Sequence, residues 1–444
     1  MVASSVPRVL GDYLTLQRGT TYKSRLLGMP GPVLLGLATI QRNGGFRRDS
    51  LQTYGGESPD KLLVQPGDLY LSLKDVTQSA DLLGAVARLP RDHPAGRLTQ
   101  DTVKLEPRAF DVPIDYLYWL LRTPQYRGYC RSHATGTTNL GLARDDFLAF
   151  PVPEPSPTRL RIVNTLTALD DKIELNRKMS ETLEAIARAL FKSWFVDFDP
   201  VRVKMEGRDP GLPREIADLF PSRMVESELG EIPEGWGVRP LGDLVEIVKG
   251  RSYKSEELTE SLTALVTLKS FSRGGGYRPD GLKPFVGTYK KEQVIEPGEV
   301  VVACTDVTQA ADVIGRTAIV RPARLYKTLV ASLDTMIVRP RAGGLSRSFL
   351  YCLGRSEAFV AHTYSHTTGT TVLHLGKEAI PSFVCAVPPR RLIEQFDSFA
   401  AATFSRLQAI DEESETVSAL RDALLPKLVS GALRVGDLKS QSPI

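Results

Sequence analysis

Leu10-Gly11-Asp12 returns as Leu241-Gly242-Asp243, 231 residues later, and many further segments return with it. At the same offset Tyr22-Lys23-Ser24 matches Tyr253-Lys254-Ser255, and Gly44-Gly45-Phe46-Arg47 matches Gly275-Gly276-Tyr277-Arg278. Pro66-Gly67-Asp68 matches Pro297-Gly298-Glu299, and Asp75-Val76-Thr77-Gln78 matches Asp306-Val307-Thr308-Gln309. At offset 233, Thr135-Gly136-Thr137-Thr138 matches Thr368-Gly369-Thr370-Thr371, with His133 answering His366. At offset 234, Ser180-Glu181-Thr182-Leu183 matches Ser414-Glu415-Thr416-Val417. The matches are collinear and the offset hardly drifts, which excludes chance. A chain of 444 residues is also too long for one hydrophobic core. Two similar units are therefore predicted, too few for a solenoid and right for a pseudo-twofold pair.

Each copy divides in two. The first part carries short apolar runs (Val33-Leu34-Leu35, Leu69 to Leu73, Val300 to Val302, Thr335 to Val338) broken by Gly, Pro and Asp, as strands and turns are. Helical patterning follows near Ile114 to Tyr129 and Arg347 to His362, so a compact α+β domain is expected. The second part is a long helix. In copy one, Ile162, Leu166, Leu169, Ile173, Asn176, Ser180, Leu183, Ala187, Leu190 and Trp194 recur at steps of four and three, a heptad stripe. Pro151, Pro153, Pro155 and Pro157 bar a helix before it. In copy two, Leu392, Phe396, Phe399, Thr403, Leu407, Ile410, Val417, Leu420, Leu424 and Leu428 form a less regular stripe, with Gly431 as a C-cap. Pairing Ile162 with Leu392 and Leu183 with Val417 makes the second helix about one turn longer. The two apolar stripes are expected to pack on each other, the alternative being that each packs on its own domain; with Thr158 to Phe195 helical, the first is a rod about 55 Å long at about 1.5 Å per residue. Pseudo-twofold symmetry suits a bipartite ligand, as half-sites on a duplex are.

Composition narrows the classes. Hydrophobic residues make up 42% and charged residues 24%, ordinary for a globular protein. There is no apolar run of membrane-spanning length and no signal-peptide pattern at the start. The four cysteines are scattered without a CxxC pair, so a cytoplasmic setting is expected. The formal charge is +4, distributed as mildly basic blocks over 1–155 and 232–388 and mildly acidic ones between and after them.

The segment LTALDDKIELNRKMSETLEAIARALFKSWFVDFDPV, Leu166 to Val201, resembles the central conserved region of the DNA-specificity (S) subunits of type I restriction–modification systems. Leu229 to Ser255 is similar to that family's entry into its second recognition domain, and the TGTT loops and Leu424 to Leu433 also look like family features. The resemblance implies an α+β protein with two target-recognition domains joined by two long antiparallel coiled-coil-like spacer helices. It implies that each domain reads half of a split double-stranded DNA target. It also implies two modification subunits, which carry S-adenosylmethionine and methylate adenine, and two restriction subunits, which use ATP and magnesium. The expected divisions are recognition domain 1 over 1–155, spacer helix 1 over 156–198, a linker over 199–236, recognition domain 2 over 237–388, spacer helix 2 over 389–431 and a tail over 432–444.

No catalytic group, cofactor site or metal site is expected in the chain itself. It has no GxxxxGK[ST] loop, no GxGxxG loop and no methyltransferase Pro-Pro-aromatic motif, since Pro388-Pro389 is followed by Arg390. His362 and His366 lie four apart without an evident third ligand. DNA contact should then fall to loops. Arg42, Asn43, Arg47 and Arg48 flank one Gly-Gly turn, and Arg273 and Arg278 flank its copy, as DNA-contacting groups or as solvated basic hairpins. Lys74, Thr77 and Gln78, with Thr305, Thr308 and Gln309, follow a strand and compete with a plain turn role. His133, Thr135, Thr137, Thr138 and Asn139, with His366, Thr368, Thr370 and Thr371, form hydroxyl-rich loops suited to phosphate oxygens or to a structural turn. Tyr22, Lys23, Arg251, Tyr253 and Lys254 are weaker candidates of the same kind. Where matching loops differ, as at Asn43 against Gly274, Arg48 against Pro279 and Asn139 against Val372, base reading is expected, first of all at Asn43 and Arg48. An orphan DNA-binding or anti-restriction protein that captures modification subunits, and a fragment of a fused restriction–methylation polypeptide, are the rival readings.

Overall fold

The computed structural model describes residues 8–49, 51–108, 112–137, 139–307 and 311–430. Thr138, Thr308, Gln309, Gly431 and the expected tail over 432–444 lie outside the described residues. The chain divides into two compact units. One takes the described residues up to Leu175 and from Ser414 on, and the other runs Asn176–Glu413. Each long helix thus contributes to both units.

The first unit is built on a four-stranded antiparallel sheet in the order Leu14–Arg18, Thr102–Pro107, Leu69–Ser72, Val86–Arg88. Of its two central strands, Leu69–Ser72 is buried along its whole length, which explains an apolar run without alternation. Leu69 and Leu71 face a cluster formed with helices Ile114–Leu120 and Pro124–Ser132. Tyr70 points the other way, into a cluster with Val33, Leu35, Val64 and Leu98, and its hydroxyl donates to the Thr39 carbonyl at 3.0 Å. A smaller sheet of Val33–Leu35, Gly96–Leu98 and Leu63–Val64 backs that second cluster.

The second unit repeats this plan. Its sheet runs Val245–Lys249, Thr335–Pro340, Val300–Ala303, Thr317–Ile319, the same order at offsets of 231 to 233. The equivalent central strand, Val300–Ala303, is again buried on both faces, Val300 and Val302 on one and Val301 and Ala303 on the other. Helices Arg347–Leu353 and Glu357–Ser365 take the places of the first unit's pair.

The long helices span Pro157–Phe195 and Arg390–Ser430. Every residue of the first expected stripe is buried or half-buried, including Asn176, whose Nδ2 donates to Glu413 Oε2 at 3.0 Å. Within each unit the two helical segments run antiparallel. In the first, Ile162 and Leu166 share a cluster with Leu424 and Leu428, and Arg421 Nη1 meets Asp170 Oδ1 at 2.8 Å. In the second, Phe191, Trp194 and Phe195 pack on Leu392, Phe396 and Ala400.

Two expectations about the second helix are corrected. Phe399 and Leu420 are exposed, and Ala400 and half-buried Arg421 occupy the inward slots instead. The inward stripe is then Phe396, Ala400, Thr403, Leu407, Ile410, Ser414, Val417, Arg421, Leu424 and Leu428, as regular as the first and offset from it by 234 throughout. The extra turn expected within this stretch disappears with it, because a single offset relates the two inward stripes from end to end. Hydrophobicity misassigned these slots. A small Ala and the stem of an Arg serve where a bulky residue would not fit, the Arg keeping its charge on a carboxylate.

The segment 199–236, expected as a linker, is folded. It forms helix Asp199–Met205 and the hairpin Met224–Ser227 with Gly230–Pro233. Val201, Phe220, Ile232 and Trp236 enter the second unit's main cluster. Lys204 Nζ ties the segment down by donating to the carbonyls of Ala217 at 2.8 Å and Phe220 at 2.6 Å. Its Pro and Gly content signalled turns, and its sparse aromatics supply the anchoring. Among the described residues no helix is long and apolar enough to cross a membrane.

Candidate nucleic-acid interface

Three loops of the first unit meet on one face. The Gly-Gly turn joins the loop after Asp75 through the Asn43 N–H, which donates to the Asp81 carbonyl at 2.8 Å. That second loop joins the Thr-rich loop where Lys74–Asp75 pairs antiparallel with Leu140–Gly141. Buried Arg127, on the helix leading to the Thr-rich loop, donates to the carbonyls of Ala80, Asp81 and Leu83. Lys74, Val76, Thr135, Gly136 and Asn139 line a hollow of about 370 Å³ between the second and third loops. The second unit repeats the arrangement. Gly274 N–H donates to the Asp312 carbonyl at 2.8 Å, and Thr305–Asp306 pairs with Leu373–Leu375, which pairs with Thr367–Thr368.

The anchor of the middle loop is an aspartate not singled out as a site residue from the sequence. Asp75 is fully buried and accepts from the Thr77 N–H and Thr77 Oγ1, each at 2.8 Å, and from the Leu82 N–H at 2.6 Å. Its copy Asp306 is 1% exposed and accepts from the Val313 N–H at 2.9 Å. A buried carboxylate must be hydrogen-bonded to be tolerated, and here backbone N–H groups of its own loop do this. Its return in both copies was the available signal. Thr77 is accordingly committed to the turn, while Gln78 is exposed.

The Thr-rich loops have matching geometry. Thr135 and Gly141 exchange two backbone hydrogen bonds at 2.9 and 2.8 Å, and Thr135 Oγ1 also donates to the Gly141 carbonyl. Gly136 has φ +95, and a Cβ there would stand 2.3 Å from the Asn139 carbonyl oxygen; Gly369, with φ +105, is held in the same way by Val372. Gly136→Ala is expected to cost about 1–3 kcal/mol of local stability. Amide exchange at Thr135 and Gly141 reads this out, and exchange as slow as in the unsubstituted protein would refute it. Thr135, Thr137, Asn139, Thr368, Thr370 and Thr371 are exposed. His133 Nδ1 donates to the Tyr129 carbonyl at 2.9 Å with the two rings stacked at 4.0 Å, and His366 Nδ1 donates likewise to the His362 carbonyl. Burial first, and the neighbouring His366 second, hold the His362 imidazole below its ordinary pKa. Among the described residues no cluster of three or more His, Cys, Asp or Glu could hold a metal ion. All four cysteines are buried without a disulfide, and burial pushes Cys352 and Cys385 up to about 12.

The cations expected to meet DNA are mostly paired inside the protein. Arg47 and Arg278 form two-pronged contacts with Asp49 and Asp280, two residues along. Arg273 stands 3.5 Å from Asp312, and Lys74 stands 3.0 Å from Asp101. At the place equivalent to Lys74, Thr305 Oγ1 donates to Asp334 Oδ1 at 2.8 Å. Arg42 is 79% exposed and only 3.9 Å from Asp81, so it keeps its reach. Arg48 departs most from expectation. Its Nη2 bridges Asp92 at 2.9 Å and Glu174 of the long helix at 2.8 Å, so it clamps the Gly-Gly turn to the helix instead of facing outward. Sequence distance hid this partner, 126 residues away. Asn43 is exposed at φ +61, and its Oδ1 accepts from Arg131 Nη2 at 3.4 Å. The weaker candidates lie apart from the three loops. Tyr22 packs edge-on against Tyr54, which also accepts from the Lys23 N–H. Arg251 pairs with Glu257, while Lys283 lies over the Tyr253 ring, and Lys254 is exposed.

A duplicated α+β unit with matching loop faces, each carried with segments of two long antiparallel helices, is the fold of a type I restriction–modification S subunit. The crystal structure of the S subunit from M. genitalium shares it, with a TM-score of 0.51, 14% identity and coverage of 96% of this chain and 97% of that one. The sequence relatives agree with the resemblance of Leu166 to Val201. The MjaIX specificity subunit of Methanocaldococcus jannaschii is 26% identical over 74% of this chain and 71% of its own length. The HindI specificity subunit of Haemophilus influenzae is 25% identical over 74% of this chain and 79% of its own. No protein-family model matches the chain.

Proposed function

We propose that this chain is the sequence-specific DNA-binding subunit of a cytoplasmic type I complex, with each unit reading one half of a bipartite double-stranded target. The observation that carries this is the recurrence, in two units of the same fold, of one loop face. That face combines close-approach glycines, exposed hydroxyls and exposed polar groups. Hydroxyls and backbone N–H groups suit phosphate oxygens, which both half-sites share. Differing side chains at equivalent places suit unlike base sequences. In this reading the long helices dock two modification subunits, which bring S-adenosylmethionine, and two restriction subunits bring ATP and magnesium. The chain itself performs no bond-making step.

The test is methyl transfer from labelled S-adenosylmethionine to DNA by the modification subunit, with and without this chain. Transfer to a two-part sequence only when the chain is present is expected. Transfer by this chain alone would refute the non-catalytic reading. Capture of the modification subunit without transfer would favour an orphan or anti-restriction role.

A further inference from the structure

We propose that Arg131 reads a guanine in the first half of the DNA target, and that the equivalent place in the second unit, Tyr364, lacks this preference. This rests on the DNA-specificity reading above. Arg131 lies in the last turn of helix Pro124–Ser132, and Tyr364 in the last turn of helix Glu357–Ser365. The two helices are the same length. Each is capped at its start by a hydroxyl, Thr123 or Ser356, and at its end by a histidine, His133 or His366, so the two positions are structurally equivalent.

Among the arginines of the first unit's three-loop face, Arg47 and Arg48 are neutralised by nearby carboxylates, and Arg42 has one at 3.9 Å. Arg131 is exposed, and among the described residues no carboxylate lies within 4.0 Å of it; its side chain donates to Asn43 Oδ1 at 3.4 Å. Its two-pronged donor set therefore remains available to the O6 and N7 acceptors of guanine in the major groove. Asn43 beside it stands where the second unit has Gly274, which has no side chain. Tyr364 is 56% exposed and carries no positive charge. Both members of this neighbouring pair thus change chemistry between the copies. A phosphate anchor needed by any duplex would keep its cation in both. What differs between the two halves of a split target is base sequence, and that is what a place of this kind can report.

The experiment uses the full chain with its modification subunit and duplexes in which each target base is replaced in turn. Arg131→Ala is expected to flatten discrimination at one guanine of the first half by about 5- to 150-fold, and Arg131→Lys, whose ammonium lacks the planar fork, by less. Every other position, and the whole second half, should keep its preference. Arg131→Lys keeps the charge, so its binding to unrelated duplexes should stay near that of the unsubstituted complex. Uniform weakening across all sequences in Arg131→Ala, restored by Arg131→Lys, would overturn the proposal in favour of a phosphate contact. Unchanged discrimination would overturn it too. An unsubstituted complex with no sequence preference would instead overturn the DNA-specificity reading itself, and the proposal with it.

Discussion

Phe396→Ala is expected to lower the unfolding free energy of the second unit by about 3–5 kcal/mol. The ring is fully buried. Its centroid lies 5.4 Å from that of Phe195, 5.7 Å from Phe191 and 6.4 Å from Trp194, all edge-on or nearly so. Phe191 and Phe195 in turn each pack on Phe349, from the recognition part of the same unit, at 4.9 Å. One side chain therefore holds the second helix to the first, and both to the sheet-bearing domain. Its removal leaves a cavity bounded by several rigid elements that cannot all collapse into it. Phe399→Ala, three residues along the same helix and 39% exposed, is the control and should change stability by about 0.5 kcal/mol or less. Urea unfolding of the two variants reads the difference, and equal midpoints would contradict the inward stripe assigned here.

Asp75→Ala is expected to cost about 2–4 kcal/mol, concentrated in the loop that follows it. The carboxylate satisfies two backbone N–H groups, Thr77 and Leu82, and a hydroxyl. Alanine would leave both part-buried N–H groups without their acceptor or force the loop outward to water. Hydrogen exchange should therefore accelerate at Thr77 and Leu82 far more than in the sheet, and proteolysis should cut within the loop. Asp75→Asn keeps one acceptor oxygen and should fall between. In the full complex, Asp75→Ala should weaken recognition at the first half-site and Asp306→Ala at the second. Loss at both halves from either change would contradict the independence of the two loop faces.

Most of the architecture was legible in the sequence because duplication and periodicity are properties of residue order. Collinear matches require two similar folds, and a heptad of apolar residues has few alternatives to a helix packed along one stripe. The positive φ of Gly136 and Gly369 gives the physical reason a glycine recurs in both Thr-rich loops, since other residues strain there. The limits of that logic appear wherever an apolar residue competes with a better-fitting small or amphipathic one. Phe399 looked inward on hydrophobicity alone, yet Ala400 has the slot. The Pro- and Gly-bearing segment 199–236 looked like a tether, yet Phe220 and Trp236 are buried in the core.

The candidate interface divides along the same line. The sequence by itself determined which loops recur and which of their positions differ between copies. Only the tertiary structure decided which of their charges remain available. Arg48 and Arg131 are equally plausible DNA contacts as letters, but Glu174 reaches the first, and among the described residues no carboxylate reaches the second. The physical reason is that a charge is cancelled by whatever lies within a few ångströms, and chain folding brings such partners from far along the sequence.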